Sequence, residues 1–198
     1  KQFGHGVKES MGTMVSAAPA LLLSIPMVQV FINSASADGS LASMPLLLAH
    51  GAAALTGDVW PLFSPVVGAL GAFIAGSNTV SNMMFSYFQF STAQQIGLAI
   101  DQSAIVVALQ GVGGAAGNMI CVHNVVAACA VVGMLNREGE IIRKTLIPLT
   151  YYLIQAALVG MWLITGGLMY AVLALCWLGG FLLLMSLLEN RAAVPQAV

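Results

Sequence analysis

The sequence predicts an all-α integral membrane protein in which ordinary spanning helices accompany one re-entrant hairpin and one discontinuous helix. The first observation is composition: 59% of the 198 residues are hydrophobic and 7% are charged, with mean hydropathy +0.93, whereas a soluble domain carries about 25% charged residues. A water-facing surface cannot be built from that supply, so lipid is the solvent this chain suits. The second is length, because several apolar stretches reach the ~20 residues a helix needs to cross the hydrocarbon core. The third is a pair of polar, glycine-containing interruptions, Gly76 to Asn82 and Gly113 to Asn118, each set inside an apolar run.

Residues 11–32 form the first expected span, where Pro19 and Pro26 remove backbone donors and kink the helix. Residues 41–56 are short for a second span and need Thr56 or a locally thinned bilayer to finish the crossing. Residues 60–90 read as the re-entrant hairpin. An apolar run from Val66 to Ala75 stops at Gly76-Ser77-Asn78-Thr79-Val80-Ser81-Asn82 and resumes from Met83 to Phe90, so neither arm is long enough to cross. Residues 97–135 repeat the design at greater length: Ser103 to Val112 stops at Gly113-Gly114-Ala115-Ala116-Gly117-Asn118, and Met119 to Leu135 resumes. That stretch is long enough to cross as a broken helix. Residues 145–164 and 168–188 are ordinary spans joined by the tight Thr165-Gly166-Gly167 turn. Residues 1–198 thus read as part of one transmembrane domain, the carboxyl-terminal part of something longer. Arg137, Arg143 and Lys144 share one loop and Arg191 follows the last span, which puts both in the cytoplasm and the hairpin's opening outside.

Broken helices at membrane depth leave backbone groups unpaired, at several kcal/mol each in hydrocarbon, and they persist where protein or a wet cavity supplies partners. They are therefore the best pointer to a substrate site. Ser77, Asn78, Thr79, Ser81 and Asn82 crowd the hairpin tip with hydrogen-bonding side chains, beside the free N–H groups of the resuming helix. A carboxylate suits such a helix start. Serine and asparagine also cap helices and join neighbouring ones, but their concentration inside a broken segment favours binding. Gly113, Gly114 and Gly117 admit close approach, either of substrate or of another helix. Asn118 and Asn124 add amide ligands around the second break, and His123 is the first candidate for proton coupling. Asp58 and Asp101 are the other proton-coupling candidates, although each lies near a helix end where aspartate commonly caps.

Several classes are excluded. The net charge of -1 offers no electrostatic grip on nucleic acid. Cys121, Cys129 and Cys176 match no zinc or disulfide spacing and read as packing residues. Gly111-x-Gly113-x-x-Ala116 mimics a dinucleotide fingerprint but lacks the strand and the acidic residue that give it meaning. No metal set, cofactor motif or nucleophile triad is present, so the expectation is a non-enzyme without a cofactor. Its partners would be a small carboxylate, a proton and the bilayer. From Ser10 to Asn136 there is no Lys or Arg, so this stretch must hold a carboxylate with N–H groups, hydroxyls, amides or His123. Moving a monoanion into an inside-negative cell costs about 2.3 kcal/mol per 100 mV, and a co-transported proton removes that cost. An ion channel with its constriction at residues 77–82, or a carrier of another small organic anion, is the alternative.

The segment Gly68-Ala69-Leu70-Gly71-Ala72-Phe73-Ile74-Ala75-Gly76-Ser77-Asn78-Thr79-Val80-Ser81-Asn82-Met83-Met84-Phe85 resembles the L-lactate permease family. So does Gly113-Gly114-Ala115-Ala116-Gly117-Asn118-Met119-Ile120-Cys121-Val122-His123-Asn124, followed by Arg137-Glu138-Gly139 and by Ile142-Arg143-Lys144-Thr145-Leu146-Ile147-Pro148. The resemblance is strongest from Leu41 to Tyr152. It implies proton-coupled symport of L-lactate and related 2-hydroxy monocarboxylates, D-lactate and glycolate among them, across a bacterial inner membrane. The Ser-Asn-Thr tip is also similar to the wider ion-transporter superfamily, which implies that this chain is one repeat of an inverted-repeat pair. Where some relatives carry a lysine after the last glycine of the second break, this chain has Asn118, so no lysine role is carried over.

Overall fold

The computed structural model describes residues 6–8, 11–12, 22–23, 26–36, 41–134 and 136–192. Half of the first expected span, residues 13–21 and 24–25, therefore lies outside the described residues, and 26–32 are helical. Seven further helices follow: α1 (Met44–Thr56), α2 (Trp60–Ala75), α3 (Asn78–Gln95), α4 (Ile100–Gly117), α5 (Val122–Val131), α6 (Glu138–Thr165) and α7 (Leu168–Ala192). There is no strand among the described residues, and the protein is all-α.

Local chemistry sets the boundaries. Pro45 and Pro61 sit in the first turns of α1 and α2, where an N–H has no helical partner to lose. Gly57 (φ 54°, ψ -138°) closes α1, and Gly76 (φ 69°) closes α2 in the left-handed region, its N–H donating to the Ala72 carbonyl at 2.8 Å. Met44–Ala75 is a continuous apolar stretch long enough to span, yet it is not one straight helix. The turn at Gly57–Val59 folds it back. Leu48 consequently shares a groove with Met84 and Phe85 of α3, and His50 Nε2 lies 3.3 Å from Gln95 Nε2.

α2 and α3 form an antiparallel hairpin whose tip is Gly76-Ser77, and α4 lies against both arms. α6 runs antiparallel to α4: Gln102 Nε2 donates to the Ile164 carbonyl at 2.9 Å, and Leu109 packs on Gly160. α7 turns back along α6, with Tyr151 and Phe181 stacked at 4.0 Å. The core around α1 to α4 holds Ala49, Trp60, Phe88, Ala93, Val106 and Ile164, with Trp60 edge-on to Phe88. Only 6% of the most apolar stretch of α7 is buried; a helix that is apolar all round and uncovered belongs in lipid.

Two expectations change. The hairpin arms are 16 and 18 residues long, about 24 and 27 Å at 1.5 Å per residue, and so are longer than the apolar runs that announced them. Gln89, Ser91 and Thr92 continue α3 because they are buried against protein, not lipid. The second break also falls later than its glycines. α4 stays helical through Gly113, Gly114 and Gly117 and unwinds only at residues 118–121.

Candidate substrate site

The two breaks meet. His123 Nδ1 and Cys121 Sγ each lie 3.4 Å from the place where a Cβ on Gly76 would sit, so the start of α5 closes over the hairpin tip. Ser77 caps α3 in an extended conformation, its Oγ accepting from Val80 N–H at 3.4 Å. With 3.6 residues per turn, the tip side chains then divide among faces. Asn78 and Asn82, four apart, turn toward α4. Asn78 Oδ1 fills the space over Gly114, and Asn82 Nδ2 donates to Asn78 Oδ1 at 3.3 Å beside Gly111. Asn82 Oδ1 is buried and meets no donor among the described residues. A buried acceptor in that state costs about 1–3 kcal/mol, which a ligand hydroxyl or N–H would recover.

Ser81 faces the hairpin interior instead. It is fully buried, its hydroxyl donates to the Gly68 carbonyl at 2.9 Å, and its oxygen accepts from Gln110 Nε2 at 3.0 Å. Its proton and one of its two lone pairs are thus taken up by the protein. Thr79 is exposed on the outer face of α3. At Gly113 and Gly117 the backbones of Pro65 and Ala69 occupy the space in which a side chain would stand. They serve the close packing of α4 on α2, and the same contacts explain why this glycine run stays helical.

At the second break, Asn124 Nδ2 donates to the Asn118 carbonyl at 3.3 Å and lies 3.4 Å from Asn118 Oδ1, while Cys121 Sγ lies 3.7 Å from His123 Nδ1. Thr145 Oγ1 of α6 reaches the Met119 carbonyl at 3.5 Å. Arg143, two residues earlier, is exposed and makes no ion pair among the described residues, while Lys144 and Arg137 both pair with Glu140. The structure thus gathers Ser77, Asn78, Asn82, Gly114, Asn118, His123 and Asn124 around one junction. Asp58 and Asp101 are not gathered there. Both are exposed in the first turns of their helices, at the far end of the hairpin, about 25 Å from the tip by helical rise.

Sequence reasoning missed Trp60, Ser64, Gln89 and Gln110, all of which tie the hairpin to itself or to α4. Ser64 Oγ donates to the Val106 carbonyl at 2.7 Å, and Gln89 and Gln110 are fully buried and joined at 2.9 Å. The available signal was an amide inside an otherwise apolar run, since buried amides in membrane helices pair across helices.

A family model described as L-lactate permease matches residues 2–165. The "Putative L-lactate permease" of Haemophilus influenzae is 46% identical over 122 residues, which cover 62% of this chain and 22% of that protein. The glycolate permease GlcA of Escherichia coli is 36% identical over 160 residues, covering 79% of this chain and 27% of its own length. The L-lactate permease of the same organism is 35% identical over 136 residues, or 69% and 23%. The chain spans about a quarter of the length of these relatives. No solved structure matches it.

Proposed function

The chain belongs to the L-lactate permease family, and from that premise we propose that it forms the carboxyl-terminal part of a secondary transporter for L-lactate and related 2-hydroxy monocarboxylates such as D-lactate and glycolate. Membership places it among multi-pass membrane transport proteins, not enzymes. The transporter works in the inner membrane of a bacterium and moves a proton with its substrate. The observation that carries this reading is the convergence of the hairpin tip on the second break.

The substrate carboxylate lies at the amino end of α3, where unpaired N–H groups and the helix dipole favour an anion without any lysine or arginine. Asn82 Oδ1, buried and without a donor among the described residues, accepts from the substrate's 2-hydroxyl. That single bond separates lactate from propionate, because a site built to pair a hydroxyl rejects the analogue that lacks it. Asn118 and Asn124 line the opposite wall. His123 takes the proton, since it stands against Gly76 whereas Asp58 and Asp101 lie at the other end of the hairpin. α2, α3 and the break after α4 constitute one re-entrant hairpin and one discontinuous helix of a repeat, which pairs with an inverted repeat elsewhere in the full-length protein.

Uptake of radiolabelled L-lactate with simultaneous recording of external pH, in cells expressing the full-length protein, tests this. Wild type should accumulate lactate while the medium turns alkaline, and Asn78→Ala at matched expression should lose about tenfold or more of that uptake. Uptake without a proton signal would sink the symport step. An unaffected Asn78→Ala would move the site elsewhere.

A further inference from the structure

Between the hairpin and α4, four hydrogen bonds form a chain with a single direction. Trp60 Nε1 donates to Gln89 Oε1 at 2.9 Å, Gln89 Nε2 donates to Gln110 Oε1 at 2.9 Å, Gln110 Nε2 donates to Ser81 Oγ at 3.0 Å, and Ser81 Oγ donates to the Gly68 carbonyl at 2.9 Å. An indole N–H can only donate. It therefore obliges Gln89 to present its oxygen to Trp60 and its nitrogen to Gln110, and Gln110 must then present its nitrogen to Ser81. Gln89, Gln110 and Ser81 are fully buried and Trp60 is 6% exposed, so no water competes for these groups. Every member is neutral.

We propose that Trp60, Gln89 and Gln110 are positioning residues of the transport site: they form a polarised relay from the entrance of the hairpin to its tip. The relay fixes Ser81, and through it the first turn of α3, against α2 and α4. This rests on the carboxylate-transport reading given above. Ser81 is the anchor of the tip, and Asn78 and Asn82, on the neighbouring face, are held at a constant distance from the second break. A reversed relay would turn the Ser81 hydroxyl toward Gln110 and leave the Gly68 carbonyl without its donor. Trp60 thus governs, from the far end of the hairpin, which way a hydroxyl points at the tip. Because no member titrates, the relay holds the tip in the same state whatever protons pass through the site.

The test is a double-mutant cycle between Trp60→Phe, which keeps a ring but removes the donor, and Ser81→Ala, which removes the last link. Both are made in the full-length protein and read as KM and maximal rate for L-lactate. Each single change should raise KM about three- to tenfold with the maximal rate held within about twofold, and the double variant should be no worse than Ser81→Ala alone. Groups that do not touch otherwise act independently. If the two increases multiply, or if the maximal rate falls while KM stays constant, the relay has no positioning role. The same cycle is read in the melting temperatures of the purified variants. A wild type that takes up no L-lactate overturns the transport reading and leaves the melting cycle to decide the relay, with additive shifts overturning it.

Discussion

The hairpin and α5 form opposite walls of one junction, and they are built in opposite ways. Across the α2–α4 seam, glycines let backbones touch and Ser64 bridges the helices, while Gln110 joins α4 to Gln89 and Ser81 of α3, so every buried amide of the relay has its partner. α5 buries only Val125 and Cys129, and its remaining side chains are exposed. One wall is closely packed within this chain. The other offers Asn118 in the break and His123 and Asn124 on a short helix whose start lies against Gly76. Within this chain the hairpin is the closely packed face of the junction and α5 the sparsely covered one.

The largest effect is expected in the seam. Gly113→Ala places a methyl group into the Pro65 backbone, which cannot yield as a flexible side chain would; it should destabilise the purified protein by about 3 kcal/mol, at the upper end of overpacking costs. A thermal melt checks this, and an unchanged melting temperature would mean that α2 and α4 are not in contact at this point. The smallest effect is expected in α5, where Val126 is 40% exposed. Val126→Ala should change stability by no more than about 0.5 kcal/mol. A loss of 1.5 kcal/mol or more in the full-length protein would show that another segment covers α5 and would remove the contrast between the walls.

Much of this arrangement was legible in the sequence, for reasons that can be separated. The interruption at Gly76-Ser77 could be read directly, because a left-handed glycine followed by a capping serine is a local signal that neighbours do not alter. The second interruption was displaced by a few residues, because helix breaking by Gly113 and Gly117 is a weak preference that packing on α2 outweighs. Ser81 read as a ligand, whereas in the structure its hydroxyl bonds the Gly68 carbonyl and Gln110, a pairing that local sequence could not show because Gln110 lies 29 residues away. Periodicity could not pair Gln89 with Gln110. Only the fold places α3 and α4 side by side with those two amides facing each other.

The hairpin tip meets the second break at one junction, and the proposed transport requires that junction. Gly76→Cys tests this against the native Cys121, whose sulfur lies 3.4 Å from the new Cβ position, a spacing within reach of a disulfide. Mild oxidation of membranes containing the full-length variant should link the two positions, as seen by mass spectrometry of a non-reduced digest. L-lactate uptake should fall with the linked fraction and return on reduction. Absence of the link, or full uptake by fully linked protein, would contradict the convergence on which the site is built.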